Sequence, residues 1–307
     1  MQNHRILWIV AAFAVASLPI RGTGQSSPTT PVGPKVNVPF FANDEHDKPI
    51  LDVTQADVAI LDNKKPPHSI VGMRSATELP LRLGVLINTS GSERLSGLYQ
   101  AEVEAASELL THVLGGTEDR AFVEKFGVAP SATQFLTKAE LRDVKLDVTP
   151  AGPSSFYDAV RFACDERMEK DPLQVARRVI VLIGDGHDNA SHIDHEKAIA
   201  SAQEAGAVVF LVSTFDNPRV PSPRGNDVLK EFADQTGGIA YLELSPKDLP
   251  NVFATIREQI RSMRVFSYVP AGPTQNGQRR TLQLKPASRR NLKLRAPKAY
   301  YLNATTQ

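Results

Sequence analysis

Three short stretches bring side-chain oxygens to the ends of apolar runs or the start of a helix. The first, Asn88-Thr89-Ser90-Gly91-Ser92, follows the run Leu83 to Ile87. The second, Gly152-Pro153-Ser154-Ser155, opens a helix-like segment that carries Tyr157 and Asp158. The third, Gly184-Asp185-Gly186-His187-Asp188-Asn189, follows Val179 to Ile183. Hydroxyl and carboxylate oxygens converging on one spot suit a hard cation such as Mg²⁺ or Mn²⁺. Each stretch alone also has a plain structural reading. Ser90 or Ser92 can cap a helix starting near Leu95, and Ser154 can be the N-cap of its own helix. Gly184-Asp185-Gly186 has the composition of an ordinary turn. Their joint occurrence, in this order, favours a shared site.

A shared site requires elements that end side by side. Leu83 to Ile87, Val179 to Ile183 and Val208 to Val212 are near-continuous apolar runs, the pattern of strands buried on both faces of a parallel sheet. Ala121 to Phe126 and Ile239 to Leu242 add two more strands. Helix-length amphipathic segments alternate with them: Leu95 to Leu114, Ser154 to Lys170, His195 to Ala205, Val228 to Gln235 and Asp248 to Met263. This alternation predicts an α/β fold, a doubly wound (Rossmann-like) mostly parallel sheet over 79–263. In such sheets ligands bind outside the carboxyl ends of the strands.

On either side the pattern becomes β-like: 36–78 before the α/β unit and 264–307 after it. The two flanks are expected to pack together as one small β module. Pro39 suits an edge strand. The tail carries Arg279, Arg280, Lys285, Arg289, Arg290, Lys293, Arg295 and Lys298, which read as a solvated face.

The segments L-P-L-R-L-G-V-L-I-N-T-S-G-S, S-S-F-Y-D-A-V and V-I-V-L-I-G-D-G-H-D-N-A-S resemble a von Willebrand factor A domain. The resemblance is strongest to the secreted bacterial group with short β segments on both sides of that domain, and it spans roughly Val36 to Tyr301. It implies a vWA-type sheet and a metal-ion-dependent adhesion site built from Asp-x-Ser-x-Ser, a separate Thr and a separate Asp. Carried over, the two serines fall on Ser90 and Ser92, the Thr position on Ser154 and the later Asp on Asp185. The leading Asp position is Asn88. An asparagine oxygen can still accept a hydrogen bond or touch a cation, but it brings no charge. One charge pair at about 4 Å is worth up to about 4 kcal/mol at an effective dielectric of about 20. The substitution is therefore expected to weaken Mg²⁺ or Mn²⁺ by roughly two or three orders of magnitude, at about 1.4 kcal/mol per decade.

The bulk composition narrows the partners. The chain has 307 residues and is 41% hydrophobic, enough for a buried core. Lys+Arg at 35 against Asp+Glu at 34 leaves no basic excess for nucleic acid or anionic lipid. The first 24 residues read as a signal peptide, with His4 and Arg5 before the apolar run Ile6 to Leu18; that run is too short for a stable membrane span. Residues 25–35 form a Ser/Thr/Pro-rich leader. Export to the periplasm or outside the cell is expected. Cys164, the single cysteine, rules out an internal disulfide and reads as a buried thiol.

His187, Asp188, His192, Asp194 and His195 raise the idea of zinc, although their spacing matches no standard site. Asp194 is also a plausible helix cap. The chain lacks a Gly-x-Ser-x-Gly elbow, a Gly-x-Gly-x-x-Gly turn and a P-loop, so it is not read as an enzyme. The expectation is an exported module that binds a protein partner at the top of the sheet, a partner carboxylate completing the coordination of any metal. Pro218, Arg219, Pro221 and Arg224, in the loop Asp216 to Asp227, are candidate partner contacts, because prolines lower the ordering cost of binding. The alternatives are a metal-independent scaffold with a vestigial site and, third, a hydrolase using the Ser/His/Asp inventory of the same edge.

Overall fold

The apolar runs become strands in the computed structural model, which describes residues 33–302 except 97, 147, 174, 215–222 and 290. The chain starts with β1 (Val36–Asn43), β2 (Val58–Asp62) and β3 (Ser69–Ser75). The α/β unit follows, with β4 (Leu81–Asn88), α1 (Gly91–Ser96), α2 (Tyr99–Val113), β5 (Arg120–Phe126) and β6 (Pro130–Ala132). It continues through α3 (Phe156–Ala163), β7 (Arg177–Ile183), α4 (His195–Glu204) and β8 (Ala207–Val212). It ends with α5 (Pro223–Thr236), β9 (Ala240–Tyr241) and α6 (Leu249–Ser262). The tail supplies β10 (Arg264–Val269), β11 (Arg279–Pro286), β12 (Lys293–Arg295) and β13 (Ala299–Tyr301).

The central sheet has the order β6-β5-β4-β7-β8-β9. Its β5, β4, β7, β8 and β9 run parallel, and the short β6 lies antiparallel on β5. Side chains alternate across β4. Leu81, Leu83, Val85 and Ile87 join α2 and α6 in one core layer. Leu86 joins α3, α4 and α5 in the other, which also buries Cys164. The expected doubly wound α/β architecture is therefore present. At the amino ends of the strands two buried ion pairs tie the sheet to its loops. Arg82 Nε lies 2.5 Å from Asp171 Oδ2, and Arg177 Nη2 lies 3.8 Å from Asp119 Oδ1. The opposite, carboxyl edge is left for the hydroxyl-bearing turns.

The flanking strands make two antiparallel sheets, β12-β1-β10-β3 and β13-β11-β2. Between them lies an apolar core that includes Val38, Phe40, Ile60, Phe266, Tyr268 and Leu282. One buried carboxylate joins the two sheets. Asp62 on β2 accepts hydrogen bonds from Arg280 Nε (2.7 Å), Tyr300 OH (2.7 Å) and Tyr268 OH (3.1 Å). Burial, with the Asp62 charge and the neighbouring phenol adding to it, pushes the Tyr268 hydroxyl well above the usual phenol range.

Several expectations are corrected. The helix expected from Leu95 begins at Gly91, so Ser92 sits in its first turn, and the segment divides into α1 and α2. The loop expected to reach Asp227 is shorter, because α5 already starts at Pro223, where a missing N–H costs nothing. Pro39 lies in an interior strand, yet at that residue β1 pairs only with β10; β12 takes over from Phe41 to Asn43. The basic tail is a solvated face in part, with Arg279, Lys285, Lys293 and Lys298 exposed. Arg280 is buried on Asp62, Arg289 grips Asp52 at 2.8 Å, Arg295 meets Asp47 at 3.2 Å and Lys298 meets Asp234 at 3.2 Å. The expected signal segment 1–24 and most of the leader lie outside the described residues. So do Pro218, Arg219 and Pro221, while Arg224 is described only as a backbone position of α5. Among the described residues no helix is long and apolar enough to cross a membrane.

Removing Asp62 strands a buried guanidinium, a change that typically costs about 3–5 kcal/mol. Asp62→Ala is expected to lower the urea midpoint strongly, whereas Asp52→Ala, at the surface, leaves it in place. Equal midpoints for the two variants would show that the Asp62 cluster does not hold the sandwich together.

Candidate functional site

β4 ends at Asn88, which is 1% exposed, and the chain turns at once into α1. Asn88 Oδ1 accepts the Ser90 N–H at 3.0 Å, an Asx-type turn that directs the hydroxyls of the next residues. The Ser90 and Ser92 hydroxyl oxygens lie 2.9 Å apart in a mutual hydrogen bond. Glycine is required opposite: a Cβ on Gly184, at the end of β7, would stand 2.9 Å from the Asn88 Cβ. Gly186 takes φ +73°, and a Cβ there would meet the Gly225 carbonyl oxygen at 2.6 Å. The third turn is thereby pressed against α5.

Ser154 reaches the same edge through backbone stitching. Thr89 N–H donates to the Phe126 carbonyl (2.7 Å), Ala151 N–H to Thr89 (2.9 Å), Gly91 N–H to Gly152 (2.8 Å) and Ser155 N–H to Gly127 (2.7 Å). Asn189 Oδ1 accepts the Ser154 N–H at 2.7 Å, and the N–H groups of Asn189 and Ala190 return to the Ser154 carbonyl at 3.0 Å. Ser154 is not the cap of its helix. Asp188 Oδ2 accepts the Tyr157 N–H at 3.0 Å and Ser191 Oγ accepts the Asp158 N–H at 2.9 Å, so α3 is capped from the third turn. The Ser154 hydroxyl, on a residue 4% exposed, is left with no hydrogen-bond partner among the described residues.

Asp185 is 1% exposed. Burial pushes its carboxyl up, but hydrogen bonds from the His187 ring and N–H and from Ser92 outweigh it and hold the group below its ordinary value. His187 Nδ1 lies 3.3 Å from Asp185 Oδ2, and this contact raises the imidazole above its ordinary value against the opposing effect of burial. The histidines considered for zinc are dispersed to separate carboxylates. His192 Nδ1 lies 2.7 Å from Asp158, His195 Nε2 lies 3.4 Å from Glu231, and Asp194 caps α4 by accepting the Lys197 N–H. Among the described residues no group of three or more His, Cys, Asp or Glu side chains is arranged to hold a metal.

Two buried acids behind the turn escaped sequence reasoning. Asn88 Nδ2 donates to Glu93 Oε1 at 2.9 Å. Glu93 is hydrogen-bonded to Glu102, which in turn accepts the hydroxyl of Thr214, two residues beyond β8. Glu93 and Glu102 are 2% and 1% exposed. Burial, then the neighbouring Glu102 and Asp185 charges, push the Glu93 carboxyl far up, and burial also raises Glu102. One sign was readable in the sequence. Glu102 falls among Tyr99, Val103, Ala106 and Leu109, on the apolar face of α2.

These observations test the fit to a hard cation. The Ser90–Ser92 oxygen spacing of 2.9 Å is close to the edge of an octahedron with bonds of about 2.1 Å. The unpartnered Ser154 hydroxyl and the ionised Asp185 add the right kind of oxygen. Asn88 supports the turn from behind, with both ends of its amide engaged inside the protein. No protein-family model matches the chain, and no curated protein matches it. Solved structures similar to it include a von Willebrand factor type A protein from Catenulispora acidiphila, with 12% identity, 91% of this chain and 76% of that one covered, and a TM-score of 0.48. Another is proximal thread matrix protein 1 from the mussel byssus with a zinc-occupied MIDAS motif, with 14% identity, 62% and 47% covered, and a TM-score of 0.47. A third is an aerotolerance-related membrane protein from Bacteroides fragilis, with 17% identity, 59% and 98% covered, and a TM-score of 0.42. This chain spans just under half the length of the mussel protein. By its own strand order the central sheet of this chain is mostly parallel and doubly wound.

The His187–Asp185 contact has a pH signature. Because the folded imidazole value is raised above 6.5, the contact contributes stability fully below that pH and loses it as pH rises through the folded value. NMR titration of His187 is expected to give a midpoint above 6.5 that drops in Asp185→Asn. A wild-type midpoint at or below the ordinary value would mean that the contact does not form in solution.

Proposed function

We propose that the carboxyl edge of the central sheet is a protein-interaction face that binds a hard divalent cation, Mg²⁺ or Mn²⁺, weakly. The hydroxyls of Ser90, Ser92 and Ser154 and the Asp185 carboxylate would hold the ion, with a carboxylate of the partner completing its coordination. Asn88 would stay behind them as support for the Ser90 turn. The observation that supports this reading is the Ser154 hydroxyl, on a residue 4% exposed and without a hydrogen-bond partner among the described residues, in a turn whose Gly152 carbonyl accepts the Gly91 N–H between Ser90 and Ser92. A buried polar atom without a partner costs about 1–3 kcal/mol, and a bound ion would satisfy it. The mussel protein holds zinc in its motif, whereas an all-oxygen set favours harder ions here. The reading includes export of the mature chain and no catalytic step.

A metal-independent scaffold is the second reading. It is favoured by Asn88, whose amide is satisfied at both ends by Ser90 and Glu93.

Calorimetric titration of Mg²⁺ and Mn²⁺ separates the two. Millimolar binding is expected for the wild type, lost in Asp185→Asn and weakened in Ser154→Ala. Ser154→Ala removes no side-chain hydrogen bond found among the described residues, so its urea midpoint is expected to stay near that of the wild type. Absence of heat in the wild type, or identical heats in all three proteins, would leave the scaffold reading. Capture of a partner by the mature chain that survives EDTA would do the same.

A further inference from the structure

Asn88 does not stand alone. Its amide is the first donor in a buried chain that runs from β4 through α1 and α2 to the residues just after β8: Asn88 Nδ2 to Glu93, Glu93 to Glu102, and the Thr214 hydroxyl to Glu102. The donor at residue 88 sets the first link of this chain. With asparagine present, the amide donates to Glu93 Oε1 and the Thr214 hydroxyl donates to Glu102 Oε1. An aspartate at the same place would remove the first donor and add a negative charge. Its second oxygen would then face Glu93 Oε1 at the distance of 2.9 Å now spanned by the amide. With Glu102 and Asp185 close by, as their effect on Glu93 shows, the buried edge would hold four acids.

We infer that Glu93 is a determinant of cation affinity at this edge, because it fixes residue 88 as an amide. Asn88 and Glu93 are a matched pair, and an aspartate at position 88 strengthens cation binding fully only when Glu93 is replaced by a hydrogen-bond donor. This rests on the reading of the edge as a cation site. It adds to that reading a residue outside the ion's own ligands, one that decides how strongly the edge can bind.

The test is a double-mutant cycle of Asn88→Asp, Glu93→Gln and their combination. Mg²⁺ and Mn²⁺ affinities are measured by calorimetry, and urea midpoints are measured without metal. In the combined variant the introduced glutamine amide can donate to the introduced carboxylate, restoring the polarity of the chain's first bond. The combined variant is expected to bind Mg²⁺ about 100-fold more tightly than the wild type, with a urea midpoint above that of Asn88→Asp. Asn88→Asp alone is expected to gain less than about tenfold and to unfold at lower urea. Glu93→Gln alone is expected to change metal affinity little.

Equal gains for Asn88→Asp and the combined variant would overturn the inference, since Glu93 would then supply the missing proton unaided. A combined variant that keeps its far-ultraviolet circular dichroism yet gains nothing would overturn it too. Failure of the functional reading looks different: the wild type gives no heat, while the combined variant still binds. In that case the matched pair would be what silences the site.

Discussion

All eight residues of β4, Leu81 to Asn88, are buried, and the strand is hydrogen-bonded along both sides, by β5 and β7. A strand with helices over both faces and neighbours at both edges can meet solvent only at its ends. The structure follows from that confinement. At the amino end, Arg82 is neutralised by Asp171 within hydrogen-bonding distance, because an unpaired buried charge there would be costly. At the carboxyl end the first polar side chain is an amide that must find partners before the chain reaches water. It finds them in Ser90 and Glu93, and the requirement passes on through Glu102 to Thr214. The candidate site and the acids behind it are thus two halves of one solution to burying Asn88.

The same logic explains how the three turns are divided. Asp188 and Asn189 look in the sequence like members of a ligand cluster. In the fold they serve as a cap for α3 and a clamp on Ser154. By taking over those duties they free the Ser154 hydroxyl from the capping role its position suggested. Of the third turn, Asp185 is left facing Ser92 and His187.

Much of the central sheet was legible because both-face burial leaves a plain mark, the unbroken apolar runs at Leu83, Val179 and Val208. The hydroxyl pair and Asp185 were legible because they follow those runs. What escaped depends on contacts distant in sequence. Glu93 is one acid after a Ser-Gly-Ser turn, and nothing local says that it meets Glu102 across a helix break. Arg280 is one of nine basic residues in the tail, and only the fold puts Asp62 beside it. For Pro39 the relevant unit is the single residue at which β1 has one neighbour, not the strand as a whole. The short β6, with its proline and small residues, carries no periodic signal at all.

The α/β unit leaves the β module after Ser75 and re-enters it at Arg264, and these two residues are partners across β3 and β10. The unit is in effect a very long hairpin loop, closed at its base by antiparallel strands. Tension applied between residues 36 and 302 would therefore load the flanking sandwich first, across β1 and β10 and the Asp62 clamp. The carboxyl edge of the central sheet stands outside that load path. A chain built this way can be pulled from both flanks while the carboxyl edge of its central sheet keeps its shape, until the sandwich itself gives way.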